Sequence, residues 1–243
     1  MSAPRTARDR ARAELTREIK DEARRQLAAA GAARLSLRAV ARELGMVSSA
    51  LYRYFPSRDD LLTALIIDAY DALGAAAEHA AAAAAGGPVR DQWLACCDAV
   101  RGWARAHPHE YALIYGSPVP GYAAPQQTVA SAARVGACFG GLLARAQVAG
   151  QLRPAGPAQA AELPGLLAAQ AAALADAIAA SVPASVMARA LVAWTQLFGM
   201  VSFELFGQLV GSADPADEFF GYAAGQLADF VGLAAAAAGT PGP

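Results

Sequence analysis

Two glycines fourteen residues apart, Gly31 and Gly45, each close a segment with helical periodicity, and that spacing narrows what the first sixty residues can become. Over residues 15–30 the apolar positions Leu15, Ile19, Ala23 and Leu27 recur every fourth residue, with Arg17, Lys20, Asp21, Arg24 and Arg25 on the other faces. That is the pattern of an amphipathic helix, and glycine tolerates the left-handed backbone that stops one. Ser36 is placed to cap a second helix over residues 37–44, which Gly45 ends. Ser48 is positioned to cap a short helix over 49–55 that Pro56 terminates, and Ser57, with Asp59 and Asp60 in the following turn, opens a long fourth helix. Helix, glycine turn and short helix make the spacing of a helix-turn-helix, whose second helix enters the DNA major groove while the first crosses the backbone. Val40, Ala41 and Leu44 face inward on the first helix of the pair, Leu51 and Phe55 on the second. The small residues Ser48, Ser49 and Ala50 leave the positive end of the second helix free to approach base edges and phosphates.

The rest of the chain predicts helices and nothing else. Beyond residue 85 long segments are separated by glycine and proline at 86–88, 107–108, 116–125, 150–157, 183 and 211–215, and no segment sustains period-two alternation of β-branched residues. The apolar excess is mostly alanine, which favours helix. The expected class is all-α: an N-terminal three-helix domain with a helix-turn-helix, followed by a larger helical domain. Pro164 and Gly165 fall inside the segment 157–182 and predict a kink or split there. We read no membrane span, since no run of about 18 strongly apolar residues is evident. The arginine-rich start has no apolar stretch behind it, so a secretory leader is not expected and the cytoplasm is. Cys96, Cys97 and Cys138 form no paired framework and read as small, reduced core residues.

The net charge of −1 hides an asymmetry. Residues 1–60 hold 13 basic and 8 acidic side chains, a surplus of +5, whereas residues 61–243 hold 7 and 13, a deficit of −6. A basic head on a mildly acidic body suits a DNA-binding module joined to a partner domain. Residues 1–14 read as a basic flexible arm, in which Arg5, Arg8, Arg10 and Arg12 are within reach of a minor groove. The three histidines lack the spacing of a helix-borne metal pair, and no phosphate-binding glycine loop occurs, so neither a metal, a cofactor nor catalysis is expected.

The run from Leu35 through Val40-Ala41, Leu44-Gly45-Met46-Val47-Ser48 and Leu51-Tyr52-Arg53-Tyr54-Phe55 to Arg58 and Leu61-Leu62 resembles the signature of the tetracycline-repressor (TetR) family of transcriptional regulators. Arg58 stands where lysine is commoner in that family, and Tyr54 where histidine is common. The resemblance implies phosphate contacts from Ser36, Tyr52, Tyr54 and Arg58, and base contacts from Arg38, Ser48, Ser49 and Ala50. Among these Arg38 is the side chain best suited to reading guanine. The implied organisation is a DNA-binding domain over 15–60 and a ligand-binding and dimerisation domain over 61–238. The implied function is a ligand-responsive repressor that binds a pseudo-palindromic operator on double-stranded DNA. An activator, or an architectural DNA-binding protein without an inducer, stays open as the alternative.

The resemblance weakens beyond residue 65, so the body is read from its own residues. Trp93, Cys97, Trp103, Tyr111, Tyr115 and Phe139 cluster around a helix break and are candidates to line a pocket for a small-molecule effector, with ordinary core packing the competing reading. The last two helices, over 184–209 and 214–238, carry Trp194, Leu197, Phe198, Val201, Leu205, Phe219, Phe220, Ala223, Leu227 and Phe230, more apolar surface than one core stripe needs. They are the expected homodimer interface. Ligand-driven movement of the helix over 61–83 then changes the spacing of the two reading heads.

Overall fold

The computed structural model describes residues 6–153, 162–178 and 180–233. Among the described residues ten α-helices follow one another: α1 (Ala7–Ala30), α2 (Leu37–Glu43), α3 (Ser48–Leu51), α4 (Arg58–Ala83), α5 (Val89–Ala106), α6 (Pro108–Tyr115), α7 (Val129–Val148), α8 (Gly165–Ala177), α9 (Ala184–Leu205) and α10 (Asp217–Val231). Among the described residues there is no β-strand, only an isolated bridge between Leu152 and Leu233. The class is all-α, as the sequence predicts.

The chain forms two compact units, one of Met1–Tyr70 with His107–Val129, the other of Asp71–Ala106 with Ala130–Pro243. This differs from a division at residue 60. The head keeps the first half of α4 and recruits α6 with the loop after it, because Leu113, Ile114, Val119 and Tyr122 pack against the same core as Ile19, Val40, Leu51 and Leu65. Polar contacts reinforce that recruitment. Arg24 of α1 donates to Asp68 of α4 at 2.7 Å and to Glu110 of α6 at 3.0 Å, and Lys20 donates to Asp68 at 2.8 Å.

In the second unit α5 carries a broad buried face of Trp93, Cys96, Cys97, Val100, Trp103 and Ala104, and α7 contributes Val135, Phe139, Leu142 and Leu143. The second half of α4 and α7 approach so closely that a Cβ at Gly74 would lie 2.8 Å from the Cβ of Arg134. That arginine forks across α4, donating to Asp71 at 3.0 Å and to Glu78 at 2.6 Å. α9 packs against α8, α5 and α10. By length and composition α9 is apolar enough to cross a membrane, an extent the sequence reading did not register. Its Val186, Met187, Ala193, Leu197, Phe198 and Val201 are instead buried within the unit.

Several expected boundaries shift. The basic arm over 1–14 is helix from Ala7 onward: Thr6 Oγ1 accepts from the Asp9 N–H and Asp9 Oδ2 accepts from the Thr6 N–H, a reciprocal cap, and the alanines and arginines that follow are good helix formers. Residues 1–5 lie outside the described residues. α8 starts only at Gly165, with Pro164 before it, and residues 157–161 of the predicted segment lie outside the described set. α9 ends at Leu205 rather than 209, because the Gln208 N–H turns back to Phe203 O at 2.8 Å around Gly207. α10 covers 217–231 of the expected 214–238, whose residues 234–238 are likewise not described.

Candidate nucleic-acid interface

The turn between α2 and α3 is built by backbone hydrogen bonds that only a left-handed residue permits. Gly45 has φ +64°, the Gly45 N–H reaches Arg42 O at 3.1 Å, and the Met46 N–H reaches Ala41 O at 2.8 Å. This pair of bonds satisfies carbonyls that the end of α2 would otherwise leave open. At the other end of α2, Ser36 Oγ accepts from the Ala39 N–H at 3.4 Å, the expected cap. Val40, Ala41, Leu51 and Phe55 are buried, so the two helices are locked through their inner faces.

α3 is shorter than the predicted 49–55 and starts one residue earlier. Val47 occupies the capping position, so Ser48 is the first helical residue and supplies no side-chain cap. After Leu51 the chain tightens: the Tyr54 N–H bonds to Leu51 O at 2.8 Å, three residues back rather than four. One turn of helix carries little dipole, so anion recognition here falls to side chains.

The eight candidate contact residues divide by environment. Arg38 and Ser49 are exposed, Tyr52 is 41 % exposed, and Ser36, Ser48, Ala50 and Tyr54 are half-buried. Arg38 has no ion pair among the described residues. Arg58 differs. Its Nη2 donates to Ala32 O at 2.8 Å and its Nε to Leu35 O at 3.2 Å, while Nη1 pairs with Asp59 at 3.2 Å. Nη2 and Nε therefore tie α4 to the turn before α2 and Nη1 is engaged within α4, so all three nitrogens already have partners and little donor capacity is left for a phosphate. Tyr54 lies beneath the guanidinium of Arg12, 5.4 Å from ring centre to carbon, so α1 brings a cation to the edge of the helix-turn-helix.

Sequence reasoning passed over Arg53, which is exposed between Tyr52 and Tyr54 and has no ion pair among the described residues. Its signal was available: a cation in this motif at a position the core does not need.

Residues 19–65 match the family model described as "Bacterial regulatory proteins, tetR family" and residues 93–227 match "Tetracyclin repressor-like, C-terminal domain". This chain belongs to the TetR family. The HTH-type transcriptional regulator Rv1816 of Mycobacterium tuberculosis is 39% identical over 199 residues, covering 82% of this chain and 83% of the relative, and Mb1846 of Mycobacterium bovis matches equally. Among solved structures, SCO4313 is similar with a TM-score of 0.72 at 35% identity, covering 93% of this chain and 98% of that one. A protein of unknown function from Rhodococcus sp. RHA1 follows with a TM-score of 0.67 at 28% identity, covering 91% and 96%. The chain is thus a TetR-family transcriptional regulator with a helix-turn-helix DNA-binding domain.

In this regulator the aromatic residues expected around one pocket are divided between the two units. Tyr111 and Tyr115 belong to the head, with ring centres 5.3 Å apart, and Tyr115 meets Tyr70 edge-on at 6.1 Å. Burial holds the Tyr115 phenol well above its ordinary range, so it stays neutral. Trp93, Cys97, Trp103 and Phe139 belong to the second unit, all buried. Trp93 and Phe139 stack edge to face at 4.7 Å, and the row continues through Trp194, 6.4 Å from Phe139, to Phe198 at 4.4 Å. Trp194, which the sequence offers for the dimer face, is half-buried and stacks within this group. The Trp93 indole N–H is buried and has no acceptor among the described residues.

Of the ten apolar residues first assigned to the dimer face, Leu197, Phe198, Val201 and Phe220 are buried within the unit, Trp194, Leu205, Ala223, Leu227 and Phe230 are half-buried and Phe219 is exposed. Further apolar residues are exposed beside them: Leu191, Val192 and Phe203 on α9, Phe206 at its cap and Tyr222 on α10, with Phe203 at 56 % and Tyr222 at 69 % exposure.

Proposed function

We propose that the protein is a ligand-responsive repressor that binds a pseudo-palindromic operator as a homodimer. The observation that carries the reading is the set of side chains on the helix-turn-helix that the module itself does not use: Arg38, Arg53 and Tyr52 are exposed while its inner face is fully packed. Arg38 offers the fork that suits guanine, Arg53 and Tyr52 suit phosphates, and Ser48, Ser49 and Ala50 are small enough for close approach. Ser36 and Tyr54 join them, Tyr54 with Arg12 above its ring. Arg8 shares that face of α1 one turn earlier, so these cations act from a helix rather than from a flexible arm. Arg58 serves this reading by holding the head together.

A twofold dimer places two such heads on successive major-groove turns. The exposed Val192, Phe203 and Phe206 on α9 fall three to four residues apart with Thr195 and Gly199 between them, one continuous stripe, and Phe219 and Tyr222 extend it on α10. Contiguous apolar surface of this kind suits a second copy of the chain. For the effector, the aromatic row of Trp93, Phe139, Trp194 and Phe198 supports an apolar molecule that brings one hydrogen-bond acceptor to the Trp93 N–H. Cys97, Trp103, Tyr111 and Tyr115 then serve as core rather than lining. α4 is the helix common to both units, so it is the route by which occupancy changes head spacing. A protein acting on chromosomal DNA in this way works in the cytoplasm.

The test is a gel shift at stated salt with the intergenic DNA beside the gene, comparing the wild type with Arg38→Ala and Arg53→Ala. Retardation weakened in both variants supports the reading. Uniform, length-dependent coating of any DNA favours the architectural alternative, and no retardation at any salt removes DNA binding from the account.

A further inference from the structure

The three cysteines, far apart or adjacent in sequence, are arranged unequally in space. Cys96 on α5 and Cys138 on α7 bring their sulfurs to 4.0 Å, whereas Cys97, the sequence neighbour of Cys96, is fully buried and apart from this pair. Cys138 is half-buried and open to a small reagent; Cys96 has no exposure. We propose that Cys96 and Cys138 form a peroxide-oxidisable dithiol, with Cys138 the attacking sulfur and Cys96 the resolving one.

The local hydrogen bonding fits these roles. The Cys96 thiol donates to Ala77 O of α4 at 3.4 Å and also lies in reach of the Cys138 sulfur. One S–H serves only one of them at a time. When Cys138 loses its proton, the Cys96 S–H turns to the new thiolate, and this bond holds the Cys138 pKa below the usual thiol value against the opposing effects of burial and Glu78, with the Arg145 guanidinium adding to it. The same bond, with burial, pushes Cys96 up, so it keeps its proton until needed. Cys97 is pushed up by burial and stays inert.

The chemistry balances with hydrogen peroxide as oxidant. The Cys138 thiolate attacks one peroxide oxygen, the O–O bond breaks, and hydroxide leaves with a proton as water, giving a sulfenic acid on Cys138. The Cys96 sulfur then attacks the Cys138 sulfur, the S–O bond breaks, and the Cys96 proton departs with that oxygen as a second water. Two thiols are oxidised and one peroxide is reduced to two waters. The sulfurs must close from 4.0 Å to about 2.0 Å, which side-chain rotation and a small approach of α5 to α7 supply. The product ties α5 to α7 and frees Ala77 O on α4, the helix that continues into the reading head.

The experiment treats the full-length protein with a small excess of hydrogen peroxide, then maps the unreduced peptides by mass spectrometry and counts free thiols. The expected result is a Cys96–Cys138 linked peptide pair, lighter by two hydrogens and restored by dithiothreitol, with Cys97 still free. In Cys96→Ser, dimedone should trap a sulfenic acid on Cys138; in Cys97→Ser, the linked pair should form as in the wild type. Wild-type protein that keeps all three thiols, that crosslinks only between chains, or that goes to a sulfinic acid on Cys138 without linkage would overturn the proposal. This outcome is read on the wild type itself and is independent of whether the protein binds DNA.

Discussion

Arginines that look alike in the sequence do different things in the fold. Arg58, which the family signature offers as a phosphate contact, donates to two backbone carbonyls and Asp59, whereas Arg38 and Arg53 point their charge at solvent. The sequence cannot separate these roles, because the carbonyls of Ala32 and Leu35 become acceptors only once α1, the intervening turn and α4 are assembled. Arg58→Ala should therefore lower the stability of the head by about 1–3 kcal/mol, because the Leu35 carbonyl loses its donor and the Ala32 carbonyl keeps only the Leu35 N–H. A melt followed by circular dichroism reads that loss. Arg38→Ala and Arg53→Ala should leave the melt unchanged and weaken operator binding about tenfold each, with a shallower salt dependence for the variant that loses a phosphate contact. The cysteines teach the same lesson: residues 42 apart become neighbours, a proximity that no spacing rule carries.

At the level of elements, the helices were legible wherever a local signal specified them and less so where tertiary packing decided. Ser36 caps α2 and Gly45 ends it, because both act through bonds within a few residues. Ser57 does the same for α4, accepting from the Asp60 N–H at 3.1 Å. α1 extends further than the apolar periodicity because its first two turns are solvated and held by the Thr6–Asp9 cap, which leaves no apolar stripe to read. Placing an L residue at Gly45, with φ +64°, forces a strained backbone, so Gly45→Ala should destabilise the head by about 1 kcal/mol and reduce DNA affinity in a binding titration. In the second unit, Arg101 of α5 grips Glu204 of α9 through two bonds of 2.7 and 2.8 Å, pairs with Asp217 of α10 at 2.8 Å, and covers the ring of Phe220. The Arg101 side chain is only 10% exposed and Glu204 16%. Removing the arginine leaves the largely buried Glu204 carboxylate with only the longer Arg105 pair at 3.7 Å, so Arg101→Ala should cost about 3 kcal/mol in a denaturant titration. None of these partners is within a hundred residues of Arg101, which is why the sequence offered it no role.

Over the whole molecule, the all-α class and the TetR family were readable from the first sixty residues and the glycine-proline punctuation. The division into units was not, because α6 joins the head by packing against a core built from residues 19–66, far earlier in the chain. Which apolar residues of α9 and α10 are buried and which are exposed was not legible either, because a wide apolar stripe does not say which half is core. If the proposed homodimer forms through the exposed Phe203 and Phe206, Phe203→Glu with Phe206→Glu should give a folded monomer in light scattering, with helix content retained. In the proposed function this TetR-family regulator meets DNA through the exposed Arg38 and Arg53 of its helix-turn-helix. The most direct measurement is a fluorescence anisotropy titration of wild type, Arg38→Ala, Arg53→Ala and Arg58→Ala against one labelled duplex from the adjacent intergenic region, at fixed salt and below each protein's melting range. The account predicts weakened binding for Arg38→Ala and Arg53→Ala and near wild-type binding for folded Arg58→Ala. Unchanged affinity in the first two, or a loss confined to Arg58→Ala, would contradict it.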